Sequence, residues 1–386
     1  MRLSNVGTLV VCAALFLTAV GAGFFWGRAS TTRSNNAAGT DNPATRSAQS
    51  SPALTAVDKI NATLPSGFRA DVYAGGINYP VTVAADPDGN VYVGSLVNHK
   101  GEVYAYRSKA DGSAGKRNVF AADLPPVTGI LVSRGRVIVS TRGTVFSFRD
   151  SNSDGIAEER IILFSDLPVS KEIPIHSNQG MARGPDGALY FGVGASCNAC
   201  VEDNPMQATV ARCNPKAHAC KVYARGLRNV YDVAFRPSDG SLFGADNGAD
   251  TIGNATLDIE DEINEIEAGK NYGWPFCWGK SRGLHCTGAE PALVEIQPHS
   301  APAGLSFYTG KSFPHEYRED LFVSLWGARK VIRVNLEPRG DTYRTTVIDF
   351  VRLNRPVDVV TNPDGDLLVA DADAGRVYRI RYEGES

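Results

Sequence analysis

Apolar and polar positions alternate in short runs along this chain, and each run follows a turn. The pattern reads DPDGNVYVGS from Asp86, SRGRVIVST from Ser133 and GPDGALYFGVG from Gly184. It returns as PSDGSLFGAD from Pro237, YREDLFVSL from Tyr317 and NPDGDLLVAD from Asn362. An Asp-Gly turn followed by period-2 apolar residues predicts a β-hairpin, because glycine accepts the positive φ that tight turns require. Aligned on Gly89, Gly135, Gly187, Gly240, Glu319 and Gly365, the copies are 46, 52, 53, 79 and 46 residues apart. A strand-built repeat near fifty residues is the mark of propeller blades. Six copies predict an all-β, six-bladed β-propeller with four-stranded blades around a central channel. Abundant turn formers, 39 Gly and 21 Pro, agree with it.

The gap of 79 breaks the rhythm, and it contains EDEINEIEAGKNYGWPFCWG, Glu260 to Gly279. Its front reads as too acidic for a core strand, and its back as too rich in Gly, Pro and aromatics for a helix. The segment is expected to be an insertion in or beside the fourth blade. A long loop at one end of a propeller channel is a place for function.

The N-terminus has a different pattern. Val6 to Trp26 is a run of 21 uncharged residues, long enough as a helix to cross a bilayer. Residues 1–27 read as a signal peptide or membrane anchor. Residues 28–56, rich in Ser, Thr, Ala and Asn, read as a flexible linker. The propeller is then expected over residues 57–386, facing the periplasm or the cell exterior. Six cysteines lie in that body, and an even number in an exported chain suggests disulfides. Local pairing gives Cys197–Cys200, Cys213–Cys220 and Cys277–Cys286. A zinc site on C-x2-C-x12-C-x6-C is the competing reading. Covalent haem is disfavoured, since Val201 stands where C-x-x-C-H needs His. A net charge of −3 offers no basic excess for nucleic acid.

No serine-hydrolase elbow, zincin motif, Walker loop or dinucleotide glycine motif is present. Polar residues recur instead at similar offsets before the turns. His176 precedes the third turn and suits a general base. Arg225, Arg228 and Asn229 precede the fourth and suit an anionic ligand. Arg355 precedes the sixth, while Arg329 and Lys330 come after the fifth. Radial repetition would gather them at one mouth. Asp246, Asp250, Asp258, Glu260, Asp261 and Glu262 offer hard oxygens for calcium. A second calcium loop is suggested by Asp150, Asn152 and Asp154 before Gly155, although Ile161 replaces the closing Glu of an EF-hand.

Together, DEINEIEAGKNYGWP, HSNQGMARGPDGALYFGVGASCNAC, ARGLRNV, HSAPAGLSFYTG and RPVDVVTNPDGDLLVADADAGRVYRI resemble the soluble quinoprotein glucose and aldose sugar dehydrogenases, in particular the sorbosone dehydrogenase-like branch. The resemblance runs in order from Leu64 to Tyr382. It implies an exported oxidoreductase using pyrroloquinoline quinone and Ca²⁺, which oxidises an aldose or related sugar at C1 and passes electrons on to a quinone or cytochrome. By the same resemblance His176 is the catalytic base. Arg228, Asn229, Arg355 and either Arg329 or Lys330 hold the quinone. The carbonyls of Gly248 and Ala249 hold its calcium, and Glu262 and Tyr272 are tied to calcium as well. Three departures stand out. Ile175 replaces the Asp that precedes the catalytic His, Val357 replaces a second Arg, and no early-blade Gln can be placed near the base. They favour the alternative of a propeller that binds a ligand or protein without turnover. A metal-dependent lactonase is the third reading, disfavoured because His and Arg, rather than acids, precede the blade turns.

Overall fold

The computed structural model describes residues 64–97, 99–249 and 258–384. The expected signal or anchor, the linker and Asp250 lie outside them. No helix among the described residues is long and apolar enough to cross a membrane.

Six four-stranded antiparallel sheets succeed one another along the chain. Blade I is built from Pro80–Ala85, Val91–Val97, Lys100–Ser108 and Ala114–Leu124. Blade II comprises Val127–Ser133, Arg136–Thr141, Thr144–Arg149 and Glu159–Phe164, and blade III comprises Asn178–Arg183, Leu189–Val193, Thr209–Asn214 and Ala219–Arg225. Val230–Phe235, Leu242–Asp246, Asp261–Glu265 and Val294–Ile296 form blade IV; Pro302–Phe307, Leu321–Leu325, Lys330–Arg339 and Thr342–Arg352 form blade V. Blade VI takes Pro356–Thr361, Leu367–Asp371 and Arg376–Tyr382 from the chain's end and Phe68–Gly75 from its beginning. That last strand runs antiparallel to its partner, from Phe68 opposite Tyr382 to Gly75 opposite Arg376. The expected six-bladed propeller is therefore the fold, and the two ends of the described chain close it.

Each first strand touches the first strands of both neighbouring blades, so six of them form a closed ring around the channel. Buried clusters occupy every blade boundary. Val103, Phe120 and Leu124 meet Val139, Phe146 and Phe148 between blades I and II, and Tyr190, Val210 and Leu227 meet Val233, Leu242 and Ile266 between III and IV. A sheet covered on both faces buries both sets of alternating residues, which is why Leu189–Val193 and Leu367–Asp371 are buried throughout.

The six recurring turns join first strands to second strands at one end of the channel. Every first strand also slips register against its second, as between Val230 and Asp232 or Pro356 and Asp358. Such bulges bend a strand and re-aim the residues beside them. At two of them a carboxylate spans a blade boundary. Asp358 accepts from Thr82 Oγ1 and Val83 N, both at 2.8 Å, and Asp232 accepts from Leu305 N at 3.2 Å. Gly180 and Gly304 make room, since a Cβ there would sit 2.2 Å from Asp232 Oδ1 and 2.1 Å from Asp358 Oδ1.

One expectation is corrected here. The acidic front of the long segment is not a loop: Asp261–Glu265 is the buried third strand of blade IV, between Leu242–Asp246 and Val294–Ile296. Its carboxylates are tolerated because protein donors meet them. Asp261 accepts from Gly248 N and Ala301 N, both at 2.8 Å, and Glu262 from Asn264 Nδ2 and Gly279 N. The insertion itself occupies residues 266–293, with a small hairpin of Cys277–Trp278 against Arg282–Gly283.

Candidate active site

The end of the channel opposite the recurring turns is where first strands begin, and there the polar residues gather. His176 lies just before the first strand of blade III, and Arg228 and Asn229 just before that of blade IV. All three are buried. His176 Nδ1 is 3.1 Å from the carbonyl oxygen of Ala195. A carbonyl only accepts, so Nδ1 carries the proton and Nε2 the lone pair. Burial, reinforced by the charge of Arg228, lowers the imidazole to about 4, against the pull of the Ala195 carbonyl. The ring is neutral at physiological pH, as a base must be.

Glycine brings these residues together. A Cβ on Gly194 would lie 2.6 Å from Asn229 Oδ1 and 2.8 Å from His176 Cβ. Gln179 completes the group: its Nε2 donates to Asn229 Oδ1 at 3.2 Å and to the Ile175 carbonyl. This Gln stands in blade III, and sequence reasoning missed it. The signal that could have found it is the spacing H-x-x-Q, which turns Gln179 back onto the chain before His176.

Arg228 and Asn229 are fixed through their backbone as well. Their amides donate to the two oxygens of buried Asp246, at 3.0 and 2.6 Å. Burial, and then the charge of Glu262, raises the Asp246 carboxyl. The Arg228 guanidinium lies 5.7 Å from the Trp274 ring centre and donates to four carbonyl oxygens: Asn198 O (3.0 Å), Asn198 Oδ1 (2.8 Å), Asn247 O (3.1 Å) and Gly248 O (2.9 Å). Beneath it, Ala195 and Ala208 of blade III, Ala249 and Ile259 of blade IV and Trp274 of the insertion form a small apolar cluster.

The other expected ligands have partners of their own. Arg355 stacks over Trp326 at 4.2 Å and donates to its carbonyl, with Asp373 at 3.4 Å, at the start of blade VI. Lys330 is drawn to Asp349 on the outer strand of blade V, and Arg329 occupies the positive-φ turn before it. The side chain of Arg225 is exposed, while its backbone ties to Lys270 and Tyr272 of the insertion. Tyr272 OH donates to the Glu265 carbonyl. Glu260 pairs with Arg282, and Asp258 lies 3.3 Å from His299.

The buried Trp274 Nε1 makes no hydrogen bond, whereas Arg355 Nε faces the Asp373 carboxylate. An orphaned donor beside the Arg228 cation suits an oxygen-rich anion, and to that extent the mouth fits a quinone tricarboxylate such as pyrroloquinoline quinone. Calcium fits less well as the residues stand. The Gly248 carbonyl faces a guanidinium, and Glu262 is already met by Asn264 and Gly279. The Asp150 loop lies elsewhere. There Asp150, Asp154 and Glu158 bring one oxygen each within 4.8 Å of one another, while Asn152 Oδ1 accepts from the Asp154 amide.

The structure joins Cys197 to Cys200, Cys213 to Cys220 and Cys277 to Cys286, which leaves no thiolates for zinc among these six.

A family model described as "Domain of unknown function (DUF7133)" matches residues 56–379. An uncharacterized protein of Borreliella burgdorferi is 25% identical over 365 residues, covering 85% of this chain and 93% of that one. The aldose sugar dehydrogenase YliI of Escherichia coli is 27% identical over 171 residues, 42% of this chain and 43% of its own. The pyranose dehydrogenase PQQ domain of Coprinopsis cinerea superposes with a TM-score of 0.69 at 17% identity, over 83% of this chain and 97% of that domain. At that identity the shared property is the fold, and it is the fold that the sequence motifs imply.

Proposed function

The chain belongs to the DUF7133 family, and we propose that it is an exported oxidoreductase that oxidises an aldose or related sugar at C1, with pyrroloquinoline quinone as hydride acceptor. The observation that carries this reading is the buried, neutral His176, fixed by the Ala195 carbonyl as the Nδ1–H tautomer beside Arg228 and Asn229.

In this reading His176 Nε2 takes the proton of the sugar's anomeric hydroxyl. The Ala195 carbonyl then stabilises the imidazolium by accepting from Nδ1–H, a weaker partner than the carboxylate that Ile175 replaces. Arg228, Asn229 and Arg355 would hold the quinone, whose ortho-dione supplies a two-electron acceptor when bound. The Arg228 charge would stabilise an oxyanion developing on a quinone bound beside it. Gln179 holds Asn229 from behind, and the Trp274 turn limits water over Arg228. Three disulfides suit an oxidising compartment. Residues 6–26, as signal or anchor, and a quinone or cytochrome as the next electron acceptor complete the proposal.

The test is titration of the folded protein with pyrroloquinoline quinone, then dye reduction with a panel of aldoses, beside His176→Ala. Quinone binding with His176-dependent dye reduction supports the dehydrogenase. A folded protein that binds no quinone refutes it and favours a propeller that binds a ligand or partner without turnover.

A further inference from the structure

One loop touches both the proposed base and the proposed cation. It leaves the second strand of blade III at Gly194 and reaches the third strand at Thr209. Ala195 accepts from His176 Nδ1. Three residues on, Asn198 meets the same edge of Arg228 twice, backbone oxygen to Nε and Oδ1 to Nη2. Two acceptors from one residue on one guanidinium edge fix both its position and its plane. The bonds to the Asn247 and Gly248 carbonyls come from Nη1, on the other side of the fork. Those two share a single nitrogen, so they restrain the plane of the guanidinium less than the Asn198 pair does. Trp274, 5.7 Å away, does not fix rotation.

Asn198 needs to be ordered for this role, and the chain around it is irregular. The disulfide between Cys197 and Cys200 closes a ring that contains Asn198. Just before the ring, Ser196 N donates to both Glu202 oxygens, at 3.0 and 3.1 Å, and Ser170 Oγ donates to the Ser196 carbonyl. The ring removes conformational freedom that Asn198 would otherwise lose on meeting Arg228.

We propose that Asn198, presented by the Cys197–Cys200 ring, is the positioning residue for Arg228, and that opening the ring frees the guanidinium and weakens the quinone site. The inference relies on the proposed function for what Arg228 binds, but not for how Arg228 is held. Ring opening is balanced by a dithiol reductant. The S–S bond breaks, two electrons and two protons pass to Cys197 and Cys200 as thiols, and the reductant leaves as its own cyclic disulfide.

The experiment compares four samples: the wild-type protein, Asn198→Ala, Asn198→Asp and Cys197→Ser/Cys200→Ser. Cys213→Ser/Cys220→Ser, which opens an outer hairpin of the same blade, is the control. Arginine modification by phenylglyoxal is monitored at Arg228 by peptide mass spectrometry, without cofactor, and pyrroloquinoline quinone affinity is measured separately. Asn198→Ala and the opened ring are expected to speed Arg228 modification and weaken quinone binding about tenfold, the scale of one lost bond to a charged group. Asn198→Asp keeps the acceptor and restores protection, and the control stays at the wild-type rate. Unchanged Arg228 protection in both Asn198→Ala and the opened ring overturns the inference. Faster modification in a series where even the wild type binds no quinone keeps the positioning role and sinks the dehydrogenase reading instead.

Discussion

The imidazole of His176 donates through Nδ1 to the carbonyl oxygen of Ala195 at 3.1 Å. This bond sets the tautomer without supplying a negative charge, so burial and the Arg228 cation keep the ring well below its ordinary 6.5, at about 4. The acid limb of kcat/KM is therefore expected near pH 4, with the base still deprotonated at about pH 5.5. His176→Ala should lower kcat by a factor of about 10² to 10⁴, the usual worth of a positioned base. A pH profile of dye reduction checks both; an acid limb near the ordinary 6.5 would refute the burial argument.

Gly194 provides a second check on the same group. An added Cβ would press on Asn229 Oδ1 and on the backbone and Cβ of His176 at once. Gly194→Ala is expected to cost about 1–3 kcal/mol of stability, as overpacking does, and to lower quinone affinity by displacing Asn229. Thermal melting and quinone titration measure the two effects. A variant with wild-type melting and affinity would show that the contact relaxes without consequence.

The blades are legible in the sequence because each carries its own signal. Turns such as Asp86–Gly89 and Asn362–Gly365 stand before runs whose apolar residues are buried on both faces. Other features carry no local signal. Phe68–Gly75 pairs with a strand some 300 residues later, and no pattern within either segment announces the partner. The strand Asp261–Glu265 reads as a loop because unpaired carboxylates need water. Their donors, Gly248, Ala301 and Gly279, come from other elements and are invisible to a local reading. His176, Arg228 and Asn229 stand out by their offsets from the turns. Gln179 and Asn198 do not, since each acts through a side chain on a neighbouring element.

The carboxylates that staple the ring predict an unusual response to pH. Burial raises the carboxyls of Asp232 and Asp358 above their ordinary 3.8, and the charge of Asp358 adds to the shift of Asp232. An acid whose folded pKa is raised binds more protons in the folded chain than in the unfolded one. The stability contributed by Asp358 is therefore greatest below its ordinary 3.8 and falls as pH rises toward about 6, and Asp232, also raised, acts in the same direction. The Asp358 part of this fall is expected to be on the order of 1–3 kcal/mol. His176 acts oppositely over much of the same window, so the comparison is best made in His176→Ala. Calorimetry at about pH 5 and about pH 8 should show the loss, and Asp358→Ala should reduce it while lowering stability at both. A slope that survives Asp358→Ala unchanged would assign it to other groups.

The insertion should behave as a lid held by one covalent bond and one apolar seat. Cys277–Cys286 closes it, Gly279 N ties it to Glu262, and Trp274, with Trp278 against it, joins the cluster of Ala195, Ala249 and Ile259. Gly273, at φ 97°, makes the turn, and a Cβ there would meet Cys277 Cβ at 2.5 Å. Cys277→Ser/Cys286→Ser removes the closure of a short loop, a change worth about 2–4 kcal/mol in the unfolded-state account. Because the loop stands outside the ring of first strands, the loss is expected to be local. Far-ultraviolet circular dichroism should keep its all-β form while tryptophan emission shifts to the red as Trp274 and Trp278 meet water. Quinone affinity should fall with it, since Trp274 covers Arg228. Unfolding of the whole propeller in this variant would instead make the disulfide a global staple and the insertion part of the core.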